Sequence, residues 1–194
     1  MTVLAPAKVI GYTECIAGSM YSGKSTELRR RAKKLRIAGK KVIIFKPLID
    51  NRYSATEVVT HDGESIDCIV VKDAKDMLDY IDSTVDAVGI DETQFFSDDV
   101  IPVIFDELNR KFGIRVVCAG LDMYSSGEPF GPMAVIMAKS KYVTKLHAVC
   151  VDCGGDAYIS HAIESNESTN KESKVKVGSV GEYVALCETC RAKY

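Results

Sequence analysis

The chain has 194 residues, of which 46% are hydrophobic, and a formal net charge of −2. This length suits one domain with a small appendage, and the charge gives no electrostatic reason to bind nucleic acid or an acidic membrane. No run approaches the roughly 20 apolar residues that a membrane span needs, and the first residues lack the pattern of a signal peptide. We therefore expect a cytoplasmic protein that acts on small molecules.

Apolar runs alternate with helical stretches along most of the chain. The runs are nearly continuous, as in strands buried on both faces of a parallel sheet, and they lie at 9–17, 40–47, 67–71, 85–91 and 114–122. Helices are predicted over 24–38, 74–81, 98–112 and within 130–140. A last strand over 142–150 is expected to leave the sheet. The alternation predicts an α/β fold, a parallel sheet with helices on both of its faces.

A glycine-rich segment, GSMYSGKST, joins the first predicted strand to the first predicted helix. Its glycines let main-chain N–H groups turn toward phosphate oxygens at a helix N-terminus, where the helix dipole favours anions. Lys24 would lie between the β- and γ-phosphates, and the Ser25 hydroxyl would coordinate Mg²⁺. ATP or a related triphosphate is the predicted ligand. The predicted binding residues in this segment are Gly18, Ser19, Met20, Tyr21, Ser22, Gly23, Lys24, Ser25 and Thr26.

Two acidic residues end the predicted strand at 85–91. Because parallel strands present their carboxyl ends at the phosphate-binding edge, Asp91 is a candidate Mg²⁺ ligand and Glu92 a candidate proton acceptor. The alternative is a hydrated strand end. Asp50 and Arg52 follow the second strand, where they would add a metal contact and a cation for phosphate oxygens. By spacing alone, a polar turn is the better interpretation there.

Four of the seven cysteines form two Cys-x-x-Cys pairs near the end of the chain. Four soft thiolates suit tetrahedral Zn²⁺, and the predicted ligands are Cys150, Cys153, Cys187 and Cys190. The metal would be structural, because the segment is too short for a core of its own and the site has no open position. The other three cysteines, Cys15, Cys68 and Cys118, are isolated among apolar neighbours and are predicted to lie in the core.

Composition changes after Cys150. Residues 163–173 are polar and almost free of large hydrophobic side chains, which is typical of an exposed, flexible loop. We therefore expect a domain boundary at 147. Residues 1–146 would form the nucleotide-binding α/β domain, and residues 147–194 the zinc-binding domain.

These motifs, in this order, resemble the zinc-containing type II thymidine kinases. The resemblance rests on GSMYSGKST, KPLIDNRYS, THDG, GIDETQFF, AGLDM with GEPFGPM, TKLHAVCVDCG and CETC, which extend from about residue 9 to residue 190. It implies a RecA-like P-loop domain, a small zinc-ribbon-like domain whose flexible lasso loop folds over the base, and a homotetramer. The implied reaction transfers the γ-phosphate of ATP to the 5′-hydroxyl of thymidine, with deoxyuridine as a further candidate acceptor.

The resemblance also implies roles for individual residues. Glu92 looks like the general base. The implied phosphate, Mg²⁺ and cofactor group comprises Lys24, Ser25, Asp50, Arg52, Asp91 and Gln94. The implied nucleoside pocket comprises Met20, Phe95, Leu121, Phe130, Ser160, Val175, Val177, Gly178 and Tyr183. Without the resemblance, core packing would be a strong alternative for the apolar members of this pocket.

Two segments depart from the family pattern. Family members commonly carry an aromatic and a basic residue after the LDM segment, whereas this chain continues Tyr124-Ser125-Ser126. The aromatic wall of the base pocket is therefore either lost or displaced to Tyr124. Counting from Cys153 places Ser160 where a thymine-contacting threonine is typical, and the next two residues, His161 and Ala162, differ as well.

Basic residues in the first predicted helix leave a second hypothesis open, a zinc-ribbon P-loop ATPase that acts on nucleic acid. These residues are distributed around the helix, which favours a solvated or subunit-facing surface over a binding stripe. The net charge and the lack of basic strands with interleaved aromatic residues argue against nucleic acid. We expect thymidine and ATP as partners, with no nucleic acid and no membrane. A non-enzymatic nucleotide sensor would differ from the kinase in lacking turnover.

Overall fold

The structure is a computed structural model that describes residues 10–48, 57–59, 65–163 and 182–194. In chain order the strands are β1 (Thr13–Gly18), β2 (Val42–Pro47), β3 (Glu57–Val59), β4 (Ser65–Asp67), β5 (Ile69–Val71), β6 (Ala87–Ile90), β7 (Arg115–Gly120), β8 (Tyr142–Leu146), β9 (Ala148–Val149), β10 (Asp156–Ala157), β11 (Ile159–Ala162) and β12 (Tyr183–Leu186). The helices are α1 (Lys24–Ile37), α2 (Val100–Pro102), α3 (Met133–Lys139) and α4 (Glu188–Arg191).

Six strands form the central sheet, in the order β5-β2-β6-β7-β1-β8, and all their pairings are parallel. The predicted α/β class is therefore confirmed. All six strands end at one edge of this sheet. Strand β7 lies between β1 and β6, so the segments that follow these three strands are neighbours at that edge.

Side chains alternate between the two faces of the sheet, and each face has its own apolar core. On one face Ile16 and Val117 pack with Leu28 and Ala32 of α1. On the other face the core includes side chains from the segments 74–80, 100–108 and 133–136. The predicted cover of helices on both faces is thus present.

The segments between strands are helical where helices are predicted, but two of these helices are not α-helices. Residues Ala74–Tyr80 form a 3₁₀ helix, and the turn Thr93–Phe95 is also 3₁₀. The helix expected over 98–112 begins with α2 and continues as a π-helix over Val103–Lys111. Its buried side chains include Ile104 and Leu108, which recur at every fourth position with the buried Val100 of α2.

The prediction that a strand over 142–150 leaves the sheet is wrong. Strand β8 does not leave the sheet, because it pairs in parallel with β1 over its whole length and forms the edge of the sheet. The ladder ends at Leu146, and β9 then pairs with β10 in a separate antiparallel pair. This break coincides with the predicted boundary at 147, which remains a prediction.

The residues after β8 form a small C-terminal lobe. It contains the β9–β10 pair, the antiparallel pair β11–β12 and α4. Its buried apolar side chains are few and mostly small, namely Ala148, Cys150, Ala157, Ile159, Ala185, Leu186 and Cys190. So little apolar area offers the lobe only weak stabilisation of its own.

The three isolated cysteines are buried, as predicted: Cys15, Cys68 and Cys118 all lie in the apolar cores of the α/β domain. Burial raises the pKa of Cys15 to about 12, so its thiol stays neutral. None of the helices in the described part of the chain combines the length and the apolar composition that a membrane crossing requires.

Two basic residues of α1, Arg30 and Arg31, are paired with neighbouring carboxylates. Arg31 pairs with Glu14 at 2.6 Å and with Glu27 at 2.8 Å, and Arg30 hydrogen-bonds the same Glu27. The hydrogen bonds that Glu27 accepts from Arg30, the larger contributor, and from Arg31 lower the pKa of Glu27 to about 2. Arg29 is buried. Arg30 and Arg31 therefore add no uncompensated charge to the surface of the helix.

Candidate active site

The glycine-rich loop follows β1 directly and leads into α1. A side chain at Gly18 is excluded, because a Cβ there would lie 2.2 Å from the main-chain oxygen of Leu146 in β8. The Ser19 carbonyl accepts hydrogen bonds from Lys24 Nζ at 2.6 Å and from Ser22 Oγ at 2.8 Å. Lys24 thus lies within the curl of the loop, where a phosphate group would meet it.

The end of β6 meets this loop through a carboxylate. Asp91 is buried, and its Oδ1 accepts hydrogen bonds from Ser25 Oγ at 3.2 Å and from the Glu92 main-chain N–H at 3.0 Å. A carboxylate and a hydroxyl at this distance are hard oxygen donors of the type that Mg²⁺ prefers. The residues present therefore fit a Mg²⁺ ion beside the phosphates.

Glu92 adopts a left-handed backbone conformation, with φ 49° and ψ 40°. A non-glycine residue costs about 1 kcal/mol or more in this region, and such conformations cluster at functional sites. The turn redirects the chain at the end of β6. Oε2 of the Glu92 side chain accepts a hydrogen bond from Gln94 Nε2 at 2.6 Å.

An aromatic cluster lies beside the acidic pair. The rings of Phe95 and Phe130 are edge to face, with centroids 5.6 Å apart, and Tyr124 stacks on Phe130 at 3.8 Å. Leu121, which follows β7, is buried at the same edge of the sheet. Tyr124, one position before Ser125, thus places an aromatic ring against Phe130.

Within the described residues, three hydrogen bonds join the C-terminal lobe to the phosphate loop. The Met20 main-chain N–H donates to Ser160 Oγ at 2.9 Å, which brings together two residues predicted from separate motifs. Ser19 Oγ donates to the Ala157 carbonyl, and the Tyr21 hydroxyl to the Tyr183 carbonyl, each at 3.2 Å. The carbonyl acceptors belong to the main chain, which no residue pattern marks, so the sequence could not indicate these contacts.

The four predicted metal ligands converge. Their sulfur atoms lie within 4.8 Å of one another, and the Sγ atoms of Cys153 and Cys187 are 3.7 Å apart. Zn–S bonds of about 2.3 Å in a tetrahedron give S–S edges of about 3.8 Å, so the cluster fits zinc. Hydrogen bonds lower the pKa of Cys150 to about 6, the largest being from the Cys187 main chain, whereas the bond to the Cys187 thiol raises the pKa of Cys190 to about 12.

The structure describes some of the remaining predicted site residues but not others. Thr26 lies exposed in the first turn of α1, and Tyr183 begins β12. Burial raises the pKa of Tyr183 above its usual value. Five predicted residues lie outside the described residues: Asp50, Arg52, Val175, Val177 and Gly178.

This arrangement is that of a P-loop phosphotransferase: a lysine-bearing phosphate loop and an acidic pair meet at the carboxyl edge of a parallel sheet. The family model described as thymidine kinase matches residues 11–191. The chain is 45% identical to a thymidine kinase of Bacteroides thetaiotaomicron over 180 residues, which are 93% of this chain and 86% of that protein. It is 43% identical to one of Bacteroides fragilis over the same shares. The chain belongs to the thymidine kinase family.

Proposed function

We propose that this protein transfers the γ-phosphate of ATP to the 5′-hydroxyl of thymidine and so forms thymidine monophosphate. The observation that carries the proposal is the contact between the two halves of the site. Asp91 Oδ1 accepts from Ser25 Oγ at 3.2 Å, so the acidic pair lies directly against the phosphate loop. A hydroxyl bound beside Glu92 would therefore face the terminal phosphate.

The chemistry assigned to the site residues is as follows. Lys24 would neutralise charge on the transferred phosphoryl group, and the loop N–H groups would hold the phosphate oxygens. Ser25 and Asp91 would hold Mg²⁺, which when bound neutralises charge on the phosphates. Glu92 would accept the proton of the 5′-hydroxyl as the new O–P bond forms and the bond between the γ-phosphorus and ADP breaks.

The aromatic cluster is the proposed site of the thymine ring. Phe95, Phe130 and Tyr124 provide flat apolar surface, and Ser160 approaches the phosphate loop from the lobe. By the family resemblance, we also assign Asp50 and Arg52 to the phosphate group and Val175, Val177 and Gly178 to the lasso over the base. A lid over the site would exclude water, which would otherwise hydrolyse ATP.

A nucleoside panel tests the proposal. With ATP and Mg²⁺, we expect thymidine to give a phosphorylated product, whereas adenosine, guanosine and cytidine give little. Product that requires thymidine supports the kinase. ATP hydrolysis that needs no nucleoside and is stimulated by DNA would contradict it and favour the nucleic-acid ATPase, and ATP binding without any turnover would favour a sensor.

Replacing Tyr124 by alanine tests the displaced aromatic wall. Loss of the ring stacked on Phe130 removes apolar contact with the base, so we expect the KM for thymidine to rise about tenfold, with a smaller change in kcat. Steady-state kinetics with varied thymidine would measure both. Tyr124→Phe keeps the ring and should stay within about twofold of the wild type. If Tyr124→Ala binds thymidine normally, Tyr124 does not form this wall.

We also propose that the structural metal is zinc, that the protein assembles as a homotetramer and that it is located in the cytoplasm. Four converging thiols support zinc as the structural metal. The edge strand β8 exposes Tyr142 and Val143, which supports an interface between subunits. None of the seven cysteines forms a disulfide, which suits a reducing compartment. Measurement of the mass in solution would decide whether the protein is a tetramer.

A further inference from the structure

Gln94 occupies a buried position between the acidic pair and the end of β7. It is 2% exposed and lies in the 3₁₀ turn Thr93–Phe95. Its Nε2 donates to Glu92 Oε2 at 2.6 Å, and its Oε1 accepts from the Leu121 main-chain N–H at 3.0 Å. The side-chain amide thus bridges the segments that follow β6 and β7.

The orientation of this amide is set by its neighbours. A main-chain N–H can only donate, so the oxygen of the Gln94 amide must face Leu121. The amide is planar, and its NH₂ group therefore faces Glu92. A charge-assisted bond of this length is among the stronger hydrogen bonds in proteins. The contact engages Oε2 of Glu92.

Close packing holds the Gln94 side chain in place. A Cβ added at Gly120 would lie 2.7 Å from Gln94 Oε1 and 2.9 Å from the Met133 sulfur. A Cβ at Gly131 would lie 2.5 Å from the Gln94 main-chain oxygen. The turn and its side chain are therefore enclosed by main chain that has no room for a larger residue.

We propose that Gln94 is a positioning residue that holds the Glu92 carboxylate for proton transfer, in place of the cofactor-binding role expected from the sequence. The inference rests on the proposed function, because it assigns Glu92 as the base. Both polar atoms of the Gln94 amide are engaged by protein groups, and the side chain is enclosed. Through Leu121 the same amide ties the base to a residue of the proposed nucleoside pocket.

The variant Gln94→Glu separates this role from a structural one. It keeps an oxygen for the Leu121 N–H and the same shape, but it places a second carboxylate oxygen against Glu92, where the two repel each other. We expect kcat to fall about 10- to 100-fold, as small misplacements of catalytic groups do, while the KM values for thymidine and ATP stay within about twofold. The isosteric variant Gln94→Met lacks both hydrogen bonds and should also have a lower kcat than the wild type.

A double-mutant cycle tests whether Gln94 acts through Glu92. In the Glu92→Gln background the residual rate should be nearly insensitive to Gln94→Glu, and the double variant should regain thermal stability relative to Gln94→Glu alone, because a donor amide again faces a carboxylate. A further loss of rate in that background, or a rise of either KM that accounts for the single variant's loss, would overturn the proposal. So would wild-type kcat in Gln94→Glu. If the wild-type protein itself does not phosphorylate thymidine, the proposed function fails instead.

Discussion

Replacing Glu92 by glutamine is expected to lower kcat by about 10² or more, the scale of a lost general base, while ATP binding stays nearly unchanged. Glutamine has the same shape, but its amide cannot take the proton of an attacking hydroxyl. The Lys24–Ser19 and Asp91–Ser25 hydrogen bonds are made by other residues, so the nucleotide site should survive. Steady-state kinetics and calorimetric titration with an ATP analogue would measure the two effects separately.

A surface glutamate provides the matched control for this substitution. Glu107 forms an ion pair with Lys111 on the π-helix, with its oxygen 2.6 Å from Nζ. Exposed pairs of this kind contribute little to stability, so Glu107→Gln should keep both kcat and ATP affinity. Turnover by Glu92→Gln equal to that of the Glu107→Gln control would remove Glu92 from the role of base.

Replacing Cys187 by serine is expected to abolish zinc binding. On heating, the C-terminal lobe of this variant should then unfold before the P-loop domain. Structural zinc sites contribute on the order of 10 kcal/mol or more of apparent binding free energy, and the small core of the lobe cannot replace it. Cys187 also caps α4, because its Sγ accepts from the Cys190 main-chain N–H. The three contacts from the lobe to Ser19, Met20 and Tyr21 would be lost as well, so thymidine affinity should fall strongly and ATP affinity to a smaller extent.

Metal analysis, thermal unfolding and thymidine titration would follow these effects in one preparation. Cys68→Ala is the control, because Cys68 is a buried thiol in the core of the α/β domain. It should lose some stability and keep its full zinc content. Retention of both zinc and thymidine affinity by Cys187→Ser would contradict the structural role of the metal and the dependence of the nucleoside site on the lobe.

The parts of the site that the sequence could predict are those that follow from strand order alone. A glycine-rich loop after an apolar run and an Asp-Glu pair after another must meet once the strands are parallel, and Ser25 and Asp91 do meet. The two Cys-x-x-Cys pairs could be predicted for a similar reason, because four thiols near each other in a reducing environment have few uses besides metal binding.

The parts that could not be predicted depend on packing between distant segments. Gln94 resembles any polar residue of a turn until Leu121 is placed beside it. We propose Tyr124 as the displaced aromatic residue because its ring reaches Phe130, a contact that the linear pattern does not reveal. The end of β8 at Leu146 depends on its pairing with β1, whereas the apolar pattern of 142–150 continues through it.

The claim that Glu92 is the base for the 5′-hydroxyl is tested most directly by a crystal structure of the complex with thymidine, Mg²⁺ and a non-hydrolysable ATP analogue. The account predicts a Glu92 carboxylate oxygen within about 3.2 Å of the 5′-oxygen of thymidine, or one water away, with that oxygen in line with the terminal phosphate. It also predicts that Gln94 still donates to the other carboxylate oxygen. A 5′-hydroxyl that faces away from Glu92, with no bridging water, would contradict it.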